Sequence, residues 1–385
     1  MSVVASRVQL GDKPCAPERI AEASALNRHL TASRPFAFVR LGDFDLSLLE
    51  GEGESETREI GSWGRSGVCG TGSPGLGLSR REDLVRAVEG ADFVDFSDFL
   101  WPQNFGPLEK WRKRVHATCQ SRETSYILPT WFEHHFRDFC RGRRVLFCGA
   151  EAPILEQLCR DPGYADCSRE FFEPGSGAFF LRPRNDGRNL GTDLALIGQD
   201  LRRAVETHSI DTAFISLGGA AKILCVDLAK ETGIRAVDFG ALMRSLCFSG
   251  SDANRPARST HAIFYFRVPF EMHMRAVMSA FPDLEPADLL AKAHAQLLLE
   301  LQRKETGWSH SAWENDFSAG NVAAFRRSLR DYRRMFRPLF GASPAAKDER
   351  RRFLDFCAQH SLTVEARVFN VLRTVKRRIK PVAGA

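Results

Sequence analysis

An arginine and two aspartates stand just past one apolar run. In "RPFAFVRLGDFDLSLLEG", residues 34–51, Phe36-Ala37-Phe38-Val39 is followed by Arg40, Gly42, Asp43 and Asp45. Two carboxylates at i and i+2 in a tight turn can share a hard divalent cation. Mg²⁺ or Mn²⁺ takes such oxygen ligands together with substrate phosphates, and a cation so placed neutralises a diphosphate leaving group. Arg40 can add a bidentate phosphate contact, and Gly42 lets the backbone turn sharply beside a ligand. The same two acids also suit a helix start, Asp43 as N-cap and Asp45 in the first turn. Spacing alone leaves both roles open.

A second constellation lies far downstream in "FISLGGAAKILCVDLAKETGIRAVDFG", residues 214–240. Gly218 and Gly219 stand between an apolar run and a helix start. Such a turn presents backbone N–H groups and the positive dipole pole to an anion, and Lys222 can add charge. The stretch is neither a Walker loop nor a full G-x-G-x-x-G, and its glycines serve close helix–strand packing equally well. Asp238 ends the next apolar run, where it can hold a ribose or sugar hydroxyl or cap a local turn.

The elements that must position these residues follow from periodicity. A helix is expected over 16–32, with Ile20, Ala23, Leu26 and Leu30 on one face. Strands are expected at 36–41, within 91–99, at 143–150, at 211–219 and at 234–240. Helices are expected at 44–50, 80–90 and 220–233, the last closed by Gly233. Residues 51–79 are glycine-rich and turn-rich, and read as a loop over the sheet edge. This alternation predicts an α/β fold, a Rossmann-like, mostly parallel sheet with helices on both faces. Ligands bind outside the carboxyl ends of such strands, where both constellations fall. Beyond about residue 270 the pattern becomes helical, with helices at 286–305, 321–337, 349–359 and 364–380. The expected organisation is an α/β domain over 1–270 and a helical, basic region over 271–385, with the boundary near "FPDLEP".

Composition narrows the function classes. Of 385 residues, 43% are hydrophobic and 26% charged, as in ordinary globular proteins. No apolar run approaches the length of a membrane span, and the N-terminus lacks a signal-peptide pattern. Ten scattered cysteines with no C-x-x-C pair read as free thiols of a reducing cytoplasm, not as disulfides or a zinc site. The net charge of +6 is uneven: residues 326–380 hold 16 Lys/Arg and 5 Asp/Glu, a local +11, which leaves −5 elsewhere. In 364–380, Val368, Leu372, Val375 and Ile379 form an apolar stripe among basic residues. Such a helix can lie on an anionic membrane surface or pack on its own domain. Nucleic-acid binding is not expected, because no aromatic interleaving or reader motif accompanies the charge. His134 and His135, adjacent on a helix, do not face one metal. Trp63, Trp308 and Trp313 read as loop anchors, and Glu50, Glu52 and Glu54 as a solvated acidic run.

Taken together, the two quoted stretches resemble those of GT-D-type glycosyltransferases. "FAFVRLGDFDLSLL" resembles their R-[FL]-G-D-G-E segment, and 214–240 resembles their later G-P-x-A…D-L…D-i-G segment, in the same order and at similar separation. The resemblance implies a nucleotide-sugar-dependent glycosyltransferase on a Rossmann-like sheet. Asp43 and Asp45 would carry the divalent cation (Mn²⁺ or Mg²⁺) and the donor diphosphate. Arg40, Gly42, Gly218, Gly219 and Lys222 would support the phosphates, and Asp238 the nucleoside or sugar. The implied partners are a nucleotide-sugar donor and a glycan, glycoprotein or lipid-linked acceptor, with cytoplasmic location at or near the inner membrane face. The alternative is a non-catalytic nucleotide-sugar-binding or assembly protein that retains the fold. The chain departs from the pattern at Phe44 (a glycine there), Asp45 (a glutamate), Gly219 (a proline) and Ala241 (a histidine).

Overall fold

The structure is a computed structural model that describes residues 17–32, 34–41, 43–50, 80–96, 105–115, 119–120, 127–168, 172–173, 177–183, 190–240, 242–247, 268–305 and 326–359. Seven strands form one sheet: β1 Phe36–Leu41, β2 Phe93–Phe96, β3 Cys119–Gln120, β4 Val145–Gly149, β5 Ala178–Leu181, β6 Thr212–Ser216 and β7 Arg235–Asp238. Every pairing is parallel, and the order is β3-β2-β1-β7-β6-β4-β5. The fold is α/β and Rossmann-like, followed by a helical C-terminal region.

Parallel strands need helical crossovers, which cover both faces of the sheet. The first helices are α1 Pro17–Ala32, α2 Asp43–Glu50, α3 Arg81–Gly90, α4 Phe105–Arg114 and α5 Ile127–Trp131, which runs on through a π-helical turn at Phe132–Phe136. Next come α6 Ala152–Arg160, α7 Leu190–His208, α8 Gly219–Thr232 and α9 Phe270–Ala280. Side chains alternate along each strand, and two cores result. Ala37, Val39 and Leu41 of β1 join Ala213, Ile215 and Ala236 under the apolar sides of α3, α7 and α8. On the other face Phe38 meets Phe93 at 5.3 Å, and Phe136 meets Phe214 and Phe239 at 5.2 and 5.4 Å. Aromatic pairs of this kind contribute ~0.5–1.5 kcal/mol each beyond their area burial. They hold the π-helical turn against the sheet.

The strand order carries the functional consequence. From β1 the chain moves outward through β2 to β3, then restarts on the far side and returns inward to β7. β1 therefore lies between β2 and β7, and the direction of winding reverses at the β1/β7 seam. Phe36, Ala37 and Phe38 are in register with Arg235, Ala236 and Val237 there. Such a reversal opens a crevice at the carboxyl ends of the strands.

The expected strands are present at 36–41, 93–96, 145–149, 212–216 and 235–238, and α8 ends at Gly233, in the left-handed region at φ 72°. Strand β5 and helices α4, α6 and α7 were not singled out by periodicity. The chain divides into two compact units, Met1–Ala280 and Phe281–Ala385. Helix α9 lies in the first unit and packs on α6. In the second, α10 Pro286–Glu305 and α11 Pro344–Gln359 pack together. The helix expected at 349–359 begins earlier, because Pro344 supplies a favourable first position, with Ser343 Oγ accepting the Ala346 N–H at 3.1 Å. The glycine-rich stretch 51–79, the basic stretch 364–380, residues 321–325, Trp63, Trp308, Trp313, Glu52 and Glu54 lie outside the described residues. No described helix is long and apolar enough to cross a membrane. The described cysteines Cys140, Cys148, Cys159, Cys225 and Cys247 are free thiols.

Candidate functional site

Strand β1 stops at Leu41 and α2 starts at Asp43, so the turn takes a single residue, Gly42, itself outside the described set. Asp45 sits in the first turn of α2 and is 7% exposed. One of its oxygens lies 3.1 Å from Nζ of Lys222. Lys222 belongs to the first turns of α8, whose entry is set by Gly218 at φ 56°, a backbone state open to glycine. The same Nζ lies 3.0 Å from Asp238 and donates to the Gly218 carbonyl at 3.2 Å. An ammonium has three donors, and these three acceptors use them. Burial alone would lower the Lys222 pKa, but the Asp238 and Asp45 carboxylates more than offset it and hold the pKa above the usual lysine value. Lys222 is thus a charged internal strut. Its side chain is directed at two carboxylates, Asp45 and Asp238.

Asp238 closes β7 and is fully buried. It accepts the Arg40 backbone N–H at 3.3 Å, and its other oxygen lies 3.8 Å from the Arg40 guanidinium. Of the two roles considered for it, neither a bound hydroxyl nor a local turn cap describes this contact, which joins strands 198 residues apart. The guanidinium lies over the turn after β7. A Cβ on Gly240 would fall 1.6 Å from Arg40 Nη2, and Gly240 has φ +49°, so glycine is required twice over. Ser216 Oγ donates to the Gly240 carbonyl at 2.9 Å and pins that turn. Arg40 is the more accessible of the two cations, with 18% of its side chain exposed against 5% for Lys222.

One residue of the rim was missed as a candidate. Asp95 of β2 is paired in register with Arg40 on the neighbouring strand. It is 0% exposed, and neither carboxylate oxygen makes a hydrogen bond of ordinary geometry. Burial raises its pKa to about 7; Arg40 opposes that rise, while Glu22 and Asp238 add to it, and the Leu128 backbone amide offsets it only slightly. The sequence held a signal, an acid inside the apolar "DFVDF" at a strand's carboxyl end. Among the described residues, Arg40 and Lys222 thus stand among the carboxylates of Asp45, Asp95 and Asp238, with Glu22 also acting on Asp95.

The fold thus gathers Arg40, Asp45, Gly218, Lys222 and Asp238, with Gly219 as the first residue of α8. The backbone at Asp43 opens α2, and nothing is described of its side chain. Glu50 is not part of a solvated run: it accepts from Trp111 Nε1 at 2.9 Å and from Lys110 at 2.8 Å, and the Lys110 bond leads in lowering its pKa. His134 is exposed, while His135 lies 3.2 Å from Ser24 Oγ, so the two rings serve different surroundings.

For a divalent cation, the described residues supply hard carboxylate oxygens of the right chemistry at the rim. Among them no three metal-ligating side chains cluster. Asp45 already meets Lys222, but a carboxylate has about four acceptor positions, so that contact alone does not exhaust it. A groove of about 360 Å³ lies elsewhere, between α3, α7 and α8, with Arg80, Arg86, Arg202 and Lys230 in its lining. It includes none of the rim residues.

Residues 18–168 match the model of the GT-D-like family, described as a GT-D fold-like domain. Over that span the first unit is similar to GT-D fold-like domains. The matched span holds Arg40, Asp43, Asp45 and Asp95 and stops short of Lys222 and Asp238. No curated protein and no solved structure matches the chain.

Proposed function

We propose that this protein is a metal-dependent glycosyltransferase that moves a sugar from a nucleotide-diphosphate donor to a glycan, glycoprotein or lipid-linked acceptor. The observation that supports it is the convergence of Arg40, Asp45, Lys222 and Asp238 on the β1/β7 crevice of a GT-D-type domain. Arg40 binds the diphosphate, with its guanidinium oriented by Asp238 and given room by Gly240. The amides at the Gly218–Gly219 start of α8 add hydrogen bonds and a favourable dipole. Asp43 and Asp45 would hold Mg²⁺ or Mn²⁺, which when bound supplies Lewis-acid neutralisation of the leaving diphosphate. Lys222 positions Asp45 and Asp238. The acceptor hydroxyl attacks the anomeric carbon, and the bond from that carbon to the diphosphate oxygen breaks. The basic stretch 364–380 would hold the chain on an anionic membrane surface, at the cytoplasmic face, where a lipid-linked acceptor is presented.

The test is donor hydrolysis over a panel of nucleotide-sugars, run with Asp43→Asn and Asp45→Asn, which keep shape and remove charge. Each variant is expected to lose about 100-fold or more in turnover, the scale seen when a metal site is compromised. Turnover equal to wild type in both would show that the cation assignment is wrong.

One observation favours a second reading, a fold-retaining nucleotide-sugar-binding protein without transfer chemistry. Lys222 sits between Asp45 and Asp238 as a built-in counter-ion. Calorimetric titration of nucleoside diphosphates with and without Mn²⁺ separates the two. Affinity that does not change with metal, in a protein that hydrolyses no donor, selects the second.

A further inference from the structure

Asp95 is the residue of the rim that neither the motif nor the reading above uses. Buried carboxylates are ordinarily hydrogen-bonded or paired, because an isolated buried charge is costly. Neither oxygen of Asp95 makes a hydrogen bond of ordinary geometry, yet the residue stands beside Arg40 in strand register. The charged groups that face it are Arg40 from β1, Glu22 from α1 and Asp238 from β7, with the Leu128 amide of α5 as a weak donor. Asp45 and Asp238 lie 3.1 and 3.0 Å from the Lys222 ammonium, whereas Asp95 faces the Arg40 guanidinium. Asp95, whose burial lifts its pKa to about 7, is an acid that can exchange a proton near neutral pH.

We propose that Asp95 is a positioning residue that acts through Arg40, taking up one proton from solvent when an anionic diphosphate binds the Arg40 guanidinium. This rests on the phosphate-binding role given to Arg40 above. A bound diphosphate brings negative charge to the guanidinium that faces both Asp238 and Asp95. With Asp95 ionised, Arg40 is shared between that carboxylate and the ligand. With Asp95 protonated, the guanidinium is released to the phosphates. One proton moves from solvent to a carboxylate oxygen, and no other bond changes. By linkage, what binding does to the proton, the proton does to binding. The sign is fixed: the liganded form binds the proton more tightly, so affinity is highest below pH 7 and falls as pH rises and Asp95 ionises.

The test measures inorganic pyrophosphate affinity at one fixed Mg²⁺ concentration from pH 6 to 9, for wild type and Asp95→Asn. Asparagine mimics the protonated acid, and the ligand's own ionisation cancels in the ratio of the two constants. The expected ratio is near one at pH 6 and grows above pH 7 against the wild type, by up to about tenfold per pH unit, the limit for one proton. Calorimetry in buffers of different ionisation enthalpy should show proton uptake by wild type that Asp95→Asn lacks. A ratio flat across the range, with pyrophosphate bound by both proteins, overturns this inference alone. Absence of pyrophosphate binding at every pH overturns the phosphate-binding reading and this inference with it. Should Asp95→Asn not fold, the ¹³C carboxyl resonance of Asp95 in wild type decides. It must move to the protonated position on adding pyrophosphate at pH 7.5, and an unmoved ionised signal refutes the proposal.

Discussion

Two buried polar networks in this molecule differ in how completely they are satisfied. In the helical unit, His294 of α10 meets Tyr332 Oη at 2.7 Å through Nε2 and Glu349 of α11 at 3.2 Å through Nδ1. Phe353 stacks on the ring at 4.2 Å. Each ring nitrogen has a partner and the surroundings are apolar, so the network joins three helical segments and has no further appetite for a ligand. Burial pulls the His294 pKa down, although Glu349 pushes the other way. At the sheet rim, by contrast, neither oxygen of Asp95 makes a hydrogen bond of ordinary geometry, and Asp238 Oδ1 has an ion pair only at 3.8 Å. A satisfied network specifies packing. An unsatisfied one at a strand end stores a demand for charge that a ligand or a proton can meet.

The strongest way to break the contrast is Lys222→Met. It leaves Asp45 and Asp238 buried without their shared cation, and the loss of one partner from a buried ion pair costs about 3–5 kcal/mol. Denaturant unfolding followed by circular dichroism should show that loss at neutral pH. A change under 1 kcal/mol would mean that the rim network is not held by this ammonium.

Gly240→Ala comes next. The new methyl displaces the Arg40 guanidinium from a 1.6 Å overlap and sits on a left-handed backbone. A stability cost of about 1–3 kcal/mol is expected, with weaker pyrophosphate binding because Arg40 has moved. Unchanged affinity would remove Arg40 from the anion site.

The smallest effect sharpens the other side. Tyr332→Phe takes one partner from His294 and should cost about 1 kcal/mol, the net value of a hydrogen bond, while pyrophosphate affinity stays at the wild-type value. A loss of affinity there would deny the helical network its purely structural role.

Much of the fold was legible because short apolar runs and helical stripes are local signals. "FAFVRL" and "TAFIS" are buried on both faces and read as parallel strands without reference to anything else. Helix α7 was not singled out, since its first residues, "LGTD", carry no apolar stripe, and the periodicity builds only from Leu194 onward. The pairing of α2 with α4 through Glu50 and Trp111 was invisible for a different reason: the partners are 61 residues apart.

The sequence by itself determined the residue types at the strand ends: Arg40 and Asp45 after one strand, Gly218 and Lys222 after another, Asp238 and Gly240 after a third. Those follow from where apolar runs stop. Only the tertiary structure decided that Lys222 turns inward to two carboxylates, that Arg40 lies over Gly240, and that Asp95 joins the cluster without a hydrogen bond of ordinary geometry. The reason is physical. Strand order and register are chosen by the packing of the whole sheet, and a pairing across 198 residues leaves no periodic trace in either partner.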